Sequence, residues 1–343
     1  MTHLGMHTWN ELCSQPDAWR AALDVVIGQA PNIAAHRALT HASHIIWSGC
    51  GSPYYLAVAA ARITQQYDAR PGYAVPASEL WLNPQACIPR DATPTLILLS
   101  RSGSTTEVLR AATQFRQSAP NSHIITITCY PDRPLASVGD INIILPSGQE
   151  TSLAQTRAFT VMQMAALGVI WLLSGRSLTE LRSLPDIAAD VMQRYQNQCL
   201  DIGKNPHYHS FYFLGSGYRY GLASEASLKM KEMSLTISEP FHHMEFRHGP
   251  QSMVDAHSLV IGIGSKEMQA TEQAVLADMR KLGGQTLAIG PTSDCDMHWE
   301  STIDDALQGI IALPLLQTIA YARATSRGLD PDNPHNLNAV VVL

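Results

Sequence analysis

The chain has 343 residues, of which 45% are apolar and only 15% charged, so it can build a sizeable core and is not a disordered segment. A net charge of −6 with no basic run argues against nucleic acid as the main partner. Six scattered cysteines without a CxxC pair point to reduced thiols and a cytoplasmic protein, and the length suits two domains of common size or one large one.

The opening stretch, MTHLGMHTWNEL, has no basic region followed by an apolar run, so no signal peptide is expected. Apolar runs at 44–49 (HIIWSG), 95–100 (TLILLS), 123–129 (HIITITC) and 141–146 (INIILP) read as strands. Polar and apolar residues do not alternate in them, which is the mark of strands covered on both faces. Helical stretches at 53–67 and 105–117 lie between these runs. A helix-rich segment from 152 to 200 follows, with AFTVMQMAALGVIWLLSG (158–175) as the one membrane suspect. Thr160 and Gln163 interrupt it and its length barely spans a bilayer, so it reads as a buried core helix. Strands resume at 211–215, 259–264 and 285–290, with helices at 221–235 and 267–282. Strands alternating with helices imply βαβ units and parallel sheets.

The two blocks resemble each other. IWSGCGSPYYLAVAAA (46–61) and FLGSGYRYGLASEASL (213–228) share a strand, Gly-x-Gly, an aromatic residue and Leu-Ala at an offset of about 166. LILLSRSGSTTEVLRAATQF (96–115) lies against VIGIGSKEMQATEQAVLADM (260–279), with Glu107 opposite Glu272. A duplicated α/β unit accounts for this. The copies differ in one respect: only the first carries a burst of hydroxyls.

That burst, SRSGSTT (100–106), follows a strand and opens a helix holding Val108, Leu109 and Ala112. Ligands of parallel sheets sit beyond the carboxyl ends of strands, where helix N-termini point free amides. Five hydroxyls, Gly103 and Arg101 suit a phosphate. Helix capping by Ser102 or Ser104 is the competing explanation, and it accounts for one hydroxyl. The turn GCGS (49–52) is a second glycine turn, without the full GxGxxG spacing.

Two further clusters carry chemistry. Glu225, Lys229 and Glu232 fall on one helical face beside an apolar stripe of Leu222, Ala226, Met230 and Met233. Spacing alone leaves this as either a cleft edge or a solvated charged face. In SEPFHHMEFRHGP (238–250), histidines can pass protons to a substrate oxygen. His242, His243, Glu245 and His248 are also metal-ligand types, but they share no helical face and form no HExxH. A loop of satisfied polar residues is the third possibility.

At these residues the chain resembles the sugar isomerase (SIS) domain proteins with two tandem SIS domains. It resembles in particular the isomerase part of glucosamine-6-phosphate synthase and stand-alone glucosamine-6-phosphate deaminases. The likeness covers nearly the whole chain, through GCGSPYY, SRSGSTTE, ETSLAQTRAFT, SEASLKMKE, FRHGP and the tail DNPHNL, in the family's order. The resemblance implies two doubly wound, flavodoxin-like α/β/α parallel-sheet domains in tandem, at 30–195 and 196–343, after a helical lead at 1–29. It implies that the SxSGxT loop (Ser100, Arg101, Ser102, Gly103 and Thr105) holds the phosphate of a sugar 6-phosphate, with Ser52 as a further ligand. Glu232 falls on the base that moves a proton between C1 and C2, Lys229 and Glu225 on neighbouring site residues, and His248 on the ring-opening histidine. Ala154, Gln155 and Thr156 fall on the loop lining the sugar pocket.

Pro53, His335 and Ala339 stand where relatives have serine, arginine and the Schiff-base lysine. The sequence begins within the SIS part, so glutamine-driven synthesis is not expected. The resemblance thus implies an amino-sugar-phosphate isomerase or deaminase, working without cofactor or metal as a homodimer with shared sites, with no membrane or nucleic-acid partner. A fructosamine-6-phosphate deglycase and a non-catalytic phosphosugar sensor are the alternatives.

Overall fold

A computed structural model describes residues 4–36, 42–341 and 343. Seven of its ten strands are the apolar runs: β1 Ile45–Gly49, β3 Thr95–Ser100, β4 His123–Thr128, β5 Ile141–Ile144, β6 Ser210–Gly215, β8 Ser258–Ile263 and β9 Gln285–Gly290. Three more were not expected: β2 Gly72–Pro76, β7 Ile237–Phe241 and β10 Met297–His298. Part of the stretch read as a histidine loop is therefore strand, because β7 pairs in parallel along β6, Ser210 opposite Ile237.

All pairings are parallel, and two five-stranded sheets result, ordered β2-β1-β3-β4-β5 and β7-β6-β8-β9-β10. The identical order is the structural form of the internal repeat. In each copy the strand order reverses beside the first strand, and that switch point is where doubly wound sheets bind ligands. Gly51 and Gly217, in the turns after β1 and β6, both adopt left-handed φ (60° and 58°), which glycine allows without Cβ strain.

Helices cover the sheets by burying regular stripes. In Thr106–Ser118 the buried positions are Val108, Ala111, Ala112 and Phe115, a one-sided pattern packed on Ile46, Leu96, Leu98 and Ile124. Burying a side chain the size of Phe115 contributes about 1.5–3 kcal/mol. Arg157–Leu173, the membrane suspect, is buried from Ala158 to Trp171, and the Trp19 indole donates to Thr160 Oγ1 at 2.8 Å. Among the described residues no helix is long and apolar enough to cross a membrane.

Contacts group the described residues into two units. The first-sheet unit holds Asp17–Glu150, Arg157–Arg182 and Asn338–Leu343; the second-sheet unit holds Met1–Pro16, Thr151–Thr156 and Ser183–Leu337. This partition is not the linear one expected with cuts at 29/30 and 195/196. Helix Leu184–Lys204 groups with the second sheet because it packs on helix Ala312–Ser326. The end of the tail groups with the first.

Candidate functional site

The first-sheet unit places the hydroxyl burst at the carboxyl end of β3, beside that of β1. Ser100 Oγ lies 3.3 Å from Thr105 Oγ1 and 3.5 Å from Ser102 Oγ, and the latter two are 3.4 Å apart. The amides of Gly103 and Ser104 donate to Ser100 Oγ at 3.2 Å and Ser102 Oγ at 3.3 Å. The Ser100 and Ser102 oxygens already accept from these amides, so their protons can turn outward, as an oxyanion requires. Gly103 sits at φ 65°, where a Cβ would meet Thr128 Oγ1 at 2.8 Å. The N-cap of helix Thr106–Ser118 is Thr105, with no side-chain cap bond, so neither Ser102 nor Ser104 serves as the cap. Ser52 opens helix Ser52–Tyr67 at the end of β1 and is 4% exposed.

Arg101 is held differently from what a phosphate-facing cation suggests. Its guanidinium pairs with Glu150 at 3.3 Å and donates to the Ala339 carbonyl at 3.2 Å, and both side chains are nearly inaccessible. The Thr106 amide donates to the Val341 carbonyl at 3.3 Å, and the Leu343 amide to Thr106 Oγ1 at 3.1 Å. The tail thus lies against the loop, and Glu150 is a partner that sequence reasoning missed, although it opens the quoted ETSLAQT motif.

In the second-sheet unit, helix Arg219–Ser234 is buried along most of its length, polar positions included. Lys229 Nζ is hydrogen-bonded to Glu232 and lies 3.5 Å from Glu225 Oε1. The side chains of Glu225 and Lys229 are 0% and 1% exposed, which excludes a solvated charged face, whereas Glu232 is 18% exposed. A buried ammonium is sustained only by such pairing. Glu232 is the carboxylate of the trio that reaches solvent, and the lysine fixes its direction.

His248 is exposed, just after the short turn His243–Phe246. Its backbone amide donates to Glu245 O at 3.0 Å, and no hydrogen bond among the described residues joins it to the Glu225–Lys229–Glu232 trio. The metal-type residues around it have separate partners: His242 stacks on Tyr220 at 4.2 Å, and His243 Nδ1 lies 3.0 Å from Ser216 Oγ and 3.8 Å from Glu272 Oε1. Burial first, then the Arg219 charge, holds His243 down at about 3, so it is a neutral core histidine. Burial pushes the Glu272 carboxyl up, against the donors from Ser265 and Ser216. Sequence reasoning missed this cluster, whose only signal was Glu272 opposite Glu107.

In the loop expected to line a sugar pocket, Ala154 is buried, and Gln155 Oε1 is shielded from solvent with no partner among the described residues.

The profile of the SIS domain matches residues 38–171 and 207–303. A glutamine–fructose-6-phosphate aminotransferase [isomerizing] of Sulfurisphaera tokodaii is 29% identical over 247 residues, covering 71% of this chain and 42% of that protein. The corresponding enzyme of Bacillus subtilis is 25% identical over 320 residues, 88% of this chain and 51% of its own length, so the chain spans about half of the curated relatives it matches. Among solved structures, a glucosamine-6-phosphate deaminase of Thermotoga maritima superposes with a TM-score of 0.85 at 25% identity, covering 98% of this chain and all of its own. A tagatose-6-phosphate ketose/aldose isomerase of Escherichia coli gives 0.86 at 24% identity over 96% and 95% of the two chains, a likeness of fold.

Proposed function

The chain belongs to the SIS-domain family, and from that premise we propose that it is a phosphosugar isomerase acting as a deaminase on an amino-sugar 6-phosphate, in the manner of glucosamine 6-phosphate going to fructose 6-phosphate and ammonia. The observation that carries the reading is Lys229, 1% exposed, between a fully buried Glu225 and a Glu232 that reaches solvent. Such a carboxylate, aimed by its ammonium, is suited to carry a proton between adjacent carbons. The hydroxyls of Ser100, Ser102 and Thr105 would hold the phosphate at the unreactive end and contribute orientation. His248 would protonate the ring oxygen as the sugar opens. Glu232 would then take the C2 proton and return it at C1, and the imine formed from the amino sugar would be hydrolysed with loss of ammonia. These steps are proton transfers and a hydrolysis. The deaminase likeness, which spans both chains almost completely, supports an amino sugar as substrate.

The test is proton NMR in D2O with glucosamine 6-phosphate and, separately, fructose 6-phosphate, with ammonia assayed alongside. We expect exchange at C1 and C2, ammonia from the amino sugar, and a rate loss of about 10²–10⁴-fold in Glu232→Gln. Exchange without ammonia would reduce the reading to an aldose–ketose isomerase. Exchange that survives in Glu232→Gln, or none with either sugar, would overturn it.

A further inference from the structure

Residues 151–156 form neither helix nor strand, and Ser152, Ala154 and Thr156 are buried, so the backbone groups of the segment must find partners elsewhere. Segments remote in sequence but within the same unit supply them. Glu11, on helix Met6–Cys13, accepts the Thr151 N–H at 2.6 Å and the Ser152 N–H at 3.2 Å through Oε1, and the Ser152 hydroxyl through Oε2. The Asp332 carbonyl accepts the Leu153 N–H at 2.9 Å. Gln317 donates to the Thr156 carbonyl at 3.1 Å and accepts from Gln15 at 3.0 Å. Asp332 closes the arrangement from the other side: its carboxylate accepts the Thr8 amide and hydroxyl, each at 2.7 Å, from the helix that carries Glu11.

Glu11 is 5% exposed and Ser152 2%. Ser152 Oγ also lies 3.1 Å from the Ala154 carbonyl, so the hydroxyl that Glu11 holds is in contact with the backbone of Ala154. Three donors converge on one carboxylate, and glutamine, with a single acceptor oxygen and two N–H groups, does not reproduce that set.

We propose that Glu11 is a positioning residue: without touching substrate, it fixes the loop that presents Ala154 and Gln155 to the sugar. The proposal rests on the phosphosugar reading above, and its test separates the two. Glu11→Gln and Glu11→Asp are made in the full chain and compared by steady-state kinetics, by inhibition with inorganic phosphate, and by amide hydrogen exchange. In Glu11→Gln we expect KM for the sugar 6-phosphate to rise about a hundredfold, as misplacement of a pocket wall does. The phosphate inhibition constant stays unchanged, because Ser100, Ser102 and Thr105 are untouched, and Glu11→Asp recovers part of the loss. The amides of Thr151 and Ser152 exchange at least about tenfold faster, while those of β6 keep their protection. If phosphate affinity falls equally, or β6 loses protection too, Glu11 is a general stabiliser and the assignment is overturned. Unchanged KM with unchanged exchange overturns it as well. Should the unmodified chain turn over no sugar phosphate, the functional reading fails, and amide exchange still decides the clamp.

Discussion

The two sheets share one strand order and treat their carboxyl edges in opposite ways. After β3, Ser100, Ser102 and Thr105 lie within hydrogen-bond reach of one another, with backbone amides feeding two of them. After β8, Ser265 gives both its amide (2.8 Å) and its hydroxyl (3.1 Å) to the buried carboxylate of Glu272. His243, shared between Ser216 and Glu272, fills the space beside the turn after β6. A sheet of this topology gathers donors beyond its strands whether or not a ligand comes. One copy spends them on its own carboxylate; the other keeps its hydroxyls clear of any carboxylate among the described residues, as the proposed phosphate site requires. Duplication supplied the frame twice, and a few side chains separate the two edges.

The largest effect should come from emptying the open edge. Ser102→Ala with Thr105→Ala removes two donors worth about 1.5–3 kcal/mol each to a charged oxygen, so KM for the sugar phosphate should rise by about a hundredfold or more. The melting temperature should move little, because neither hydroxyl caps the helix and the one amide freed, that of Ser104, belongs to a half-buried residue that water can reach. Next comes the filled edge. Glu272→Ala leaves the Ser265 amide and hydroxyl unpaired in a buried place, and urea unfolding should show a loss of about 2–3 kcal/mol with KM unchanged. If the double variant lost stability and kept its KM, or Glu272→Ala did the reverse, the contrast between the edges would collapse.

How much of this could be read in the sequence depends on where each residue finds its partner. The central strands were legible because both their faces are buried, as in TLILLS and LVIGIG. The three missed strands, β2, β7 and β10, are all edge strands. Gly72, Pro76 and Pro240 sit in them, residues that weaken an apolar pattern and that an edge tolerates. Clusters supplied by one local segment were equally legible: the hydroxyls within Ser100–Thr105, and the trio on one helix face. What local spacing could not reveal was each carboxylate partner from afar. Glu150 reaches Arg101 across 49 residues and Glu11 reaches Ser152 across 141, and no periodicity encodes such distances. Glu272 was visible only as a repeat-alignment echo of Glu107.

The smallest predicted effect probes the filled edge through its histidine. His243 has an ordinary value of 6.5 and is held down to about 3, first by burial, then by Arg219 and His242. Between those values the unfolded chain binds a proton that the folded chain refuses, so this residue's contribution to stability is lost as pH falls below about 6.5, by at most about 1.4 kcal/mol per pH unit. Glu272 works in the opposite sense, since its raised carboxyl lets the folded state take a proton above the ordinary 4.5, and it blunts the slope of the unmodified protein. His243→Gln isolates the histidine's part. The stability gap between the unmodified chain and this variant, measured by urea unfolding at pH 7 and pH 5.5, should narrow by about 1 kcal/mol. Among the described residues no histidine is hydrogen-bonded to the hydroxyls of the first edge, so phosphate inhibition there should vary with pH only through the ionisation of phosphate itself. A gap that stays constant would mean that His243 protonates in the folded protein, and that the second edge is less committed to its own side chains than the first is open.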